Sequence, residues 1–191
     1  MTQRFREAHK RTQGHEGFYA NEDWDDGGET YRGISRVYNP DWEGWPLIDQ
    51  YKKAYGKPLP WNHYIKSEHL DELVLQRYYE RYWMPLRADE IRGDALTDLL
   101  FDFYVQSGAN AVKALQEAVN LLENNKKLYC DGVIGPKTLA ACNALPHAQV
   151  HDMVKAIRRQ FLINWAERKK KPESVLASVL RRVDKFPDQY T

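Results

Sequence analysis

The chain has 191 residues, a length that suits one domain or two small, closely packed lobes. Its 42% hydrophobic and 29% charged residues are typical of a globular protein, and a net charge of +1 gives little support for binding nucleic acid. No apolar run reaches the ~18 residues of a membrane span, and the first residues lack the apolar core of a signal peptide. We therefore expect synthesis in the cytoplasm without a signal peptide, and any work outside the cell would need another export route.

Charge is divided unevenly along the chain. Residues 1–100 carry 14 Lys and Arg against 18 Asp and Glu, whereas residues 101–191 carry 14 against 9. This division is compatible with an anionic polymer as ligand, although so mild a split is also common by chance. The two cysteines, Cys130 and Cys142, are too few for a disulfide framework or a tetrahedral metal site. We expect two reduced, buried thiols and no metal or cofactor.

Helical periodicity begins near the start of the chain. Over residues 3–13, a spacing of three or four predicts a short helix whose buried stripe consists of Phe5, Ala8, His9 and Thr12. Glycine and proline are frequent in residues 17–46, which predicts a loop. Within it, residues 31–35 are expected to pair with residues 18–21 as a small hairpin.

The rest of the chain has the apolar spacing of amphipathic helices. Ser67 is a strong N-cap for a helix that should run to about Trp83 and stop before Pro85. Residues 93–106 are strongly apolar and predict a central core helix. Further helices are predicted at 46–55, 109–122, 136–142, 147–168 and 173–185. The predicted fold class is therefore mainly α, with at most a small β-hairpin.

The segment from His15 to Ile34 differs from this helical body. It reads HEGFYANEDWDDGGETYRGI, in which one glutamate stands beside aromatic side chains and an acidic turn contains adjacent glycines. Cleavage of a glycosidic bond needs a proton donor and stabilisation of an oxocarbenium-like transition state. Glu16 is the candidate acid, because an apolar, aromatic surround would raise its pKa and keep it protonated near neutral pH. A plain acidic surface loop is the alternative interpretation.

Two stretches of the sequence resemble a known family. The segment from His15 to Ile34 is similar to the signature of N-acetylmuramidases of glycoside hydrolase family 108, which begins His-Glu-Gly-Gly-Tyr. The residues that match this signature are Glu16, Tyr19, Asn21, Asp25, Gly27, Gly28, Thr30, Gly33 and Ile34. The stretches FDFYVQSGANAVKALQEAVN and DGVIGPKTLAA resemble the peptidoglycan-binding half of this family, whose members are often labelled secretion activators. The resemblance covers roughly residues 5–185, with a departure at Phe18, where the family usually has glycine.

The resemblance implies a lysozyme-like helical fold, with a catalytic lobe at residues 1–100 and a helical peptidoglycan-binding lobe at residues 101–191, packed as one unit. It implies hydrolysis of the β-1,4 bond between N-acetylmuramic acid and N-acetylglucosamine, with peptidoglycan as the partner and the cell wall as the place of action. Glu16 would be the general acid, Asp25 would stabilise positive charge or orient a water, and Thr30 would hold that water. Substrate contacts are expected from Tyr19, Trp24, Asp26 and Tyr31.

Several alternatives remain open at this point. Asp25 is equally consistent with a turn residue and Thr30 with an ordinary strand residue, while Asp23 and Asp26 are rivals for the role of Asp25. A non-catalytic wall-binding or secretion-assisting protein would keep the same fold, and Phe18 is the feature that favours it. The mode of hydrolysis, retaining or inverting, and the oligomeric state also stay open. Four tryptophans are either core residues or sugar-stacking platforms: Trp42, Trp45, Trp61 and Trp83.

Overall fold

The computed structural model describes four ranges of the chain, which are residues 1–13, 17–21, 28–124 and 127–186. These described residues form eight α-helices and one small three-stranded sheet, so the predicted mainly α, lysozyme-like fold is confirmed. The chain divides into two structural units, Met1–Arg81 and Tyr82–Thr191. The prediction that residues 1–100 form a catalytic lobe and residues 101–191 a peptidoglycan-binding lobe assigns functions to parts of the chain, and it stays a prediction. No helix in the described part combines the length and apolar character that crossing a membrane requires.

The first unit contains three α-helices and the sheet. Its elements are α1 (Gln3–Gln13), β1 (Tyr19–Ala20), β2 (Thr30–Tyr31), β3 (Ile34–Ser35), α2 (Gly44–Tyr55) and α3 (Glu68–Tyr78). The Ser67 hydroxyl accepts a hydrogen bond from the Leu70 amide at 3.2 Å, so Ser67 is the N-cap of α3, as predicted. A π-helical segment, Tyr79–Trp83, continues α3 to the end point expected from the sequence.

The sheet has one strand more than the predicted hairpin. β1 pairs with β2 through Tyr19 and Tyr31, and β2 pairs with β3 through Tyr31 and Ile34, both antiparallel. Pairing between the two predicted segments is therefore correct, but residues 31–35 also fold back on themselves. Arg32 and Gly33 form this tight turn with φ values of 47° and 77°. Such a turn matches the twist of the strands, and glycine adopts it freely whereas arginine does not.

Contacts with two helices hold Arg32 in this unfavourable conformation. Arg32 Nη1 lies 2.7 Å from Asp71 Oδ1 of α3, and Arg32 Nε donates to Gln13 Oε1 of α1 at 3.1 Å. The Tyr78 hydroxyl donates to the Arg32 carbonyl at 2.9 Å. The β2–β3 turn is thereby tied to α1 and α3, which fixes the sheet against the helices.

The buried face of α1 contains a histidine. His9 is 3% exposed, with its ring edge-on to Tyr78 at 4.8 Å and tilted against Phe5 at 5.6 Å. Burial, followed by the positive charges of Arg32 and Arg6, lowers the pKa of His9 from 6.5 to about 4. His9 is therefore neutral in the folded protein near neutral pH.

We expect acid to destabilise the first unit through His9. The unfolded chain takes up this proton near pH 6.5 and the folded chain only near pH 4, so stability is lost as the pH falls between these values. The loss amounts to roughly 3 kcal/mol. Urea unfolding across this pH window should show that His9→Phe is less sensitive to acid than the wild type. His69→Gln, on the exposed face of α3, should keep wild-type sensitivity; equal behaviour of all three proteins would contradict this assignment.

The second unit is helical. Its elements are a short 3₁₀ turn (Ala88–Glu90), α4 (Asp94–Ser107), α5 (Ala109–Leu122), α6 (Pro136–Ala144), α7 (His147–Arg168) and α8 (Glu173–Asp184). All five predicted helices of this region are confirmed, with ends that differ by two residues at most. α5 and α7 both pack on α4, which is therefore the core helix that its composition predicted. Both cysteines are free, but only Cys142 is buried as expected, since Cys130 is exposed.

Candidate active site

Four of the predicted site residues lie outside the described residues: Glu16, Trp24, Asp25 and Asp26. The roles given to these four stay predictions. The other three predicted residues lie on neighbouring strands, Tyr19 in β1 and Thr30 and Tyr31 in β2. The sheet therefore pairs the two described parts of the sequence motif, residues 17–21 and 28–34, with each other.

A carboxylate that the sequence analysis did not single out anchors the sheet. The Glu29 side chain is 11% exposed, and Lys52 Nζ lies 2.7 Å from its Oε1 atom. Arg36 Nε lies 2.7 Å from Glu29 Oε2, and the Tyr19 hydroxyl donates to Oε1 at 2.9 Å. Both carboxylate oxygens are thus held by cations. Glu29 is therefore a positioning residue that ties β1 to α2, and not a candidate proton donor.

The two sheet tyrosines are buried. Tyr19 is 3% exposed, and its burial and hydrogen bond to Glu29 raise the pKa of its phenol well above the usual value. Tyr31 is fully buried, and burial raises the pKa of Tyr31 to about 12. The Tyr31 hydroxyl donates to the Ile65 carbonyl at 3.5 Å and accepts from the Ile65 amide at 3.4 Å. Both phenols stay protonated, and this degree of burial favours a supporting role over direct contact with a substrate.

Thr30 is half-buried and lies two positions after Gly28, the first residue of the described range 28–124. Its hydroxyl donates a hydrogen bond to the Gly28 carbonyl at 3.2 Å. The hydroxyl proton is therefore used within the chain, while the oxygen lone pairs are left as acceptors. A side chain in this state can accept a hydrogen bond from a water molecule, which is compatible with the predicted role.

Three exposed aromatic residues lie next to β1 or in the segment that Asn62 bonds to it, and we call them the aromatic shelf: Phe18, Trp61 and Tyr64. Their exposed fractions are 37%, 70% and 42%, and the rings of Phe18 and Tyr64 contact each other with centroids 5.0 Å apart. Asn62 joins the parts of this surface. Its backbone N–H donates to the Tyr19 carbonyl at 2.7 Å, and its side-chain Oδ1 atom accepts from the Phe18 backbone N–H at 2.9 Å.

The Tyr64 ring is held in place by the same network that supports the β2–β3 turn. The Tyr64 hydroxyl donates to Asp71 Oδ2 at 2.7 Å, while Asp71 Oδ1 pairs with Arg32. This hydrogen bond to Asp71 raises the pKa of Tyr64. The shelf is therefore connected to the sheet by defined contacts, although it is open to solvent.

The four candidate tryptophans differ in their exposure to solvent. Trp61 is 70% exposed, whereas the other three are at most 5% exposed and belong to the core: Trp42, Trp45 and Trp83. A largely exposed tryptophan is unusual in a folded protein, since this side chain buries a large apolar area. Trp61 is therefore the candidate for a stacking platform.

The described ranges offer no metal centre. They contain no group of three or more His, Cys, Asp or Glu residues that could hold an ion. Two described carboxylates near the sheet, Glu29 and Asp49, are paired with cations. Arg36 Nη2 lies 2.7 Å from Asp49 Oδ1, and its hydrogen bond lowers the pKa of that carboxyl.

These features define a class of protein, a helical, lysozyme-like protein with an exposed aromatic surface beside a small sheet. The family model described as glycosyl hydrolase 108 matches residues 9–108, which is more than half of the chain. The chain therefore belongs to glycosyl hydrolase family 108. A second family model, described as a predicted peptidoglycan domain, matches residues 110–183. The protein is thus a glycoside hydrolase, and its polymer partner is peptidoglycan of the cell wall.

A solved structure, described as that of Brucella abortus SagA, is similar to this chain. The two are 24% identical, with 97% of this chain and 96% of that chain covered and a TM-score of 0.57. At this level of identity the likeness supports the fold alone. No curated protein matches the chain.

Proposed function

We propose that the protein is an N-acetylmuramidase that hydrolyses the β-1,4 bond between N-acetylmuramic acid and N-acetylglucosamine. The observation that carries this proposal is the family match over residues 9–108, which spans every residue predicted for catalysis. The aromatic shelf supports it, because exposed rings can stack on the apolar faces of pyranose sugars. The shelf also adjoins β1, whose first residue follows Glu16 by three positions in the sequence.

Glu16 is the proposed general acid. It gives its proton to the glycosidic oxygen as the bond to the anomeric carbon breaks, so that the leaving sugar departs as a neutral alcohol. Positive charge then develops at the anomeric carbon and the ring oxygen. The Asp25 carboxylate stabilises this charge or orients a water, and the Thr30 hydroxyl oxygen accepts a hydrogen bond from that water. Trp24 and Asp26 complete the proposed contacts with the sugar, while the buried Tyr19 and Tyr31 stabilise strands β1 and β2.

The two parts of the sequence have different proposed tasks. Residues 1–100 carry out hydrolysis, and residues 101–191 hold the protein on the polymer. The second part has 14 Lys and Arg against 9 Asp and Glu, an excess that suits the carboxylates of peptidoglycan. The proposed place of action is the cell wall, in the periplasm or outside the cell.

Product analysis tests the proposed bond. Purified full-length protein incubated with sacculi should release soluble fragments that carry N-acetylmuramic acid at the reducing end, as identified by mass spectrometry after borohydride reduction. Fragments that end in N-acetylglucosamine would show that the other glycosidic bond is cleaved. Binding to sacculi without release of fragments would instead indicate a non-catalytic wall-binding or secretion-assisting protein.

A further inference from the structure

We propose that a groove in the second unit binds the short peptide that branches from the glycan strand of peptidoglycan. This groove lies between α5 and α7 and has a volume of about 480 Å³, and we call it the α5–α7 groove. Its volume is in the range of sites for small ligands, which is about 300–1,000 Å³. The inference rests on the proposed function in one respect, since it takes peptidoglycan as the polymer, but it concerns a separate surface.

The floor of the α5–α7 groove is apolar. Phe103 is 1% exposed and Ala114 is 4% exposed, and the partly buried side chains of Ile157 and Phe161 pack against them. The rings of Phe103 and Phe161 are tilted by 55° with centroids 5.6 Å apart. Phe103 is almost fully buried and Phe161 is partly covered, so the floor has no open ring face on which a sugar could stack. Small methyl-sized side chains fit such a floor better.

The α5 wall of the groove carries two opposite charges. Lys113 and Glu117 are exposed and lie about one helical turn apart on α5. Within the described ranges, neither side chain forms an ion pair at 4.0 Å or less. The charge of Lys113 also acts on Asp131, which lies beside it, but Lys113 and Glu117 both keep hydrogen-bonding capacity for a ligand.

The α7 wall of the groove is neutral and polar. Gln160 and Asn164 are exposed there, and Gln160 Nε2 donates to Asn164 Oδ1 at 2.8 Å. Each primary amide keeps further donor and acceptor capacity after this contact. Such groups are suited to the N–H and C=O groups of a peptide backbone.

These walls match a short peptide with free charges and small side chains. Lys113 would pair with a carboxylate of the peptide and Glu117 with one of its amines, while the amides of α7 bind its backbone. The floor would take up alanine-sized methyl groups and thereby contribute apolar burial. A glycan strand offers Glu117 only neutral hydroxyl and acetamido N–H donors, and removal of the peptide adds carboxylates but no amine, so the peptide is the better match.

Two substitutions test this site in the full-length protein. Ala156 is exposed and lines the groove, so Ala156→Trp should fill the groove without disturbing the core. Ala140→Trp, at an exposed position of α6 outside the groove, is the matched control. Lys113→Glu reverses the cation without changing the shape of the groove, and Lys137→Glu on α6 is its control.

The probe is the tetrapeptide that an amidase releases from sacculi, with binding measured by calorimetry and by amide shifts of α5 and α7. We expect Ala156→Trp and Lys113→Glu each to weaken binding at least about tenfold, or about 1.4 kcal/mol, and both controls to bind as the wild type does. Failure of the wild type to bind the tetrapeptide, or undiminished binding by both groove variants, would overturn the proposal. Binding of peptide-free glycan strands at the groove in place of the tetrapeptide would overturn it as well.

Hydrolysis of peptide-free glycan strands distinguishes a failure of the groove proposal from a failure of the proposed function. The groove variants should hydrolyse such strands with an unchanged kcat at saturating substrate, because the groove is not part of the proposed catalytic site and these strands carry no peptide for it to bind. A wild-type protein that hydrolyses the strands but does not bind the tetrapeptide would refute the groove alone. A protein that binds the tetrapeptide but hydrolyses neither these strands nor sacculi would refute the muramidase and leave the groove in place.

Discussion

Replacing Glu16 by glutamine should lower the rate of glycan hydrolysis at least about a hundredfold while leaving the binding to sacculi unchanged. Glutamine has nearly the same shape as glutamate, but its amide is far too weak an acid to protonate the leaving oxygen. The uncatalysed departure of a sugar alkoxide is slow, so the loss appears in the chemical step. The measurement is the release of reducing ends from sacculi, together with a pull-down of the same protein on intact sacculi.

Glu7→Gln is the matched control for this experiment. Glu7 lies in α1, nine positions before Glu16, and is exposed. Its replacement removes the same charge from the first unit, so the rate should stay at the wild-type value. If Glu16→Gln retains most of its activity, or if it loses binding and hydrolysis in parallel, Glu16 is not the general acid.

Helices were well predicted from the sequence because they are specified locally. The apolar stripe of α1 consists of the four residues that its spacing indicated, and the cap at Ser67 follows from one hydroxyl at the right position. For residues 31–35 the pairing with β1 was predicted but the turn between β2 and β3 was not, because this turn contains Arg32 at a positive φ. Arginine is not a turn signal, and its conformation depends on Asp71 and Gln13, which are distant in the sequence.

The site was predicted less completely, because burial and pairing depend on distant parts of the chain. The sequence does not show that Tyr31 is enclosed or that Trp61 is the exposed member of four candidate tryptophans. Glu29 was missed although it directly precedes Thr30 in the motif, since its partners Lys52 and Arg36 come from elsewhere. Its position inside a matched motif was the one signal that could have identified it.

Phe18 illustrates how the structure changes the interpretation of a sequence difference. Its departure from the family signature was the feature that favoured a non-catalytic protein. In the structure Phe18 contacts Tyr64 on the solvent side and extends the aromatic shelf, so the larger side chain adds apolar surface beside β1. The departure is therefore compatible with binding of a sugar, and it no longer argues against an enzyme.

The second unit depends on a buried cluster of charges around Asp102 of α4. Asp102 and Arg158 are both fully buried, with Arg158 Nη2 2.5 Å from Asp102 Oδ2. Arg182 of α8 donates to Asp102 Oδ1 at 2.8 Å, and Gln106 accepts a further hydrogen bond from Arg158. Burial lowers the pKa of Arg158, while the neighbouring Asp102 acts in the opposite direction and favours the charged guanidinium. One carboxylate thus compensates two cations that α7 and α8 bring to the core helix.

Asp102→Asn should destabilise the second unit by about 3–5 kcal/mol, since it leaves Arg158 charged, buried and without a counterion. Asp184→Asn is the control, because Asp184 pairs with Arg159 between the same helices, α7 and α8, but both side chains are exposed. An exposed pair contributes no more than about 1 kcal/mol. Amide hydrogen exchange in α4, α5 and α7 reports on this unit separately from the first one. Protection that falls equally in the two variants would show that the Asp102 cluster adds no more stability than a surface ion pair.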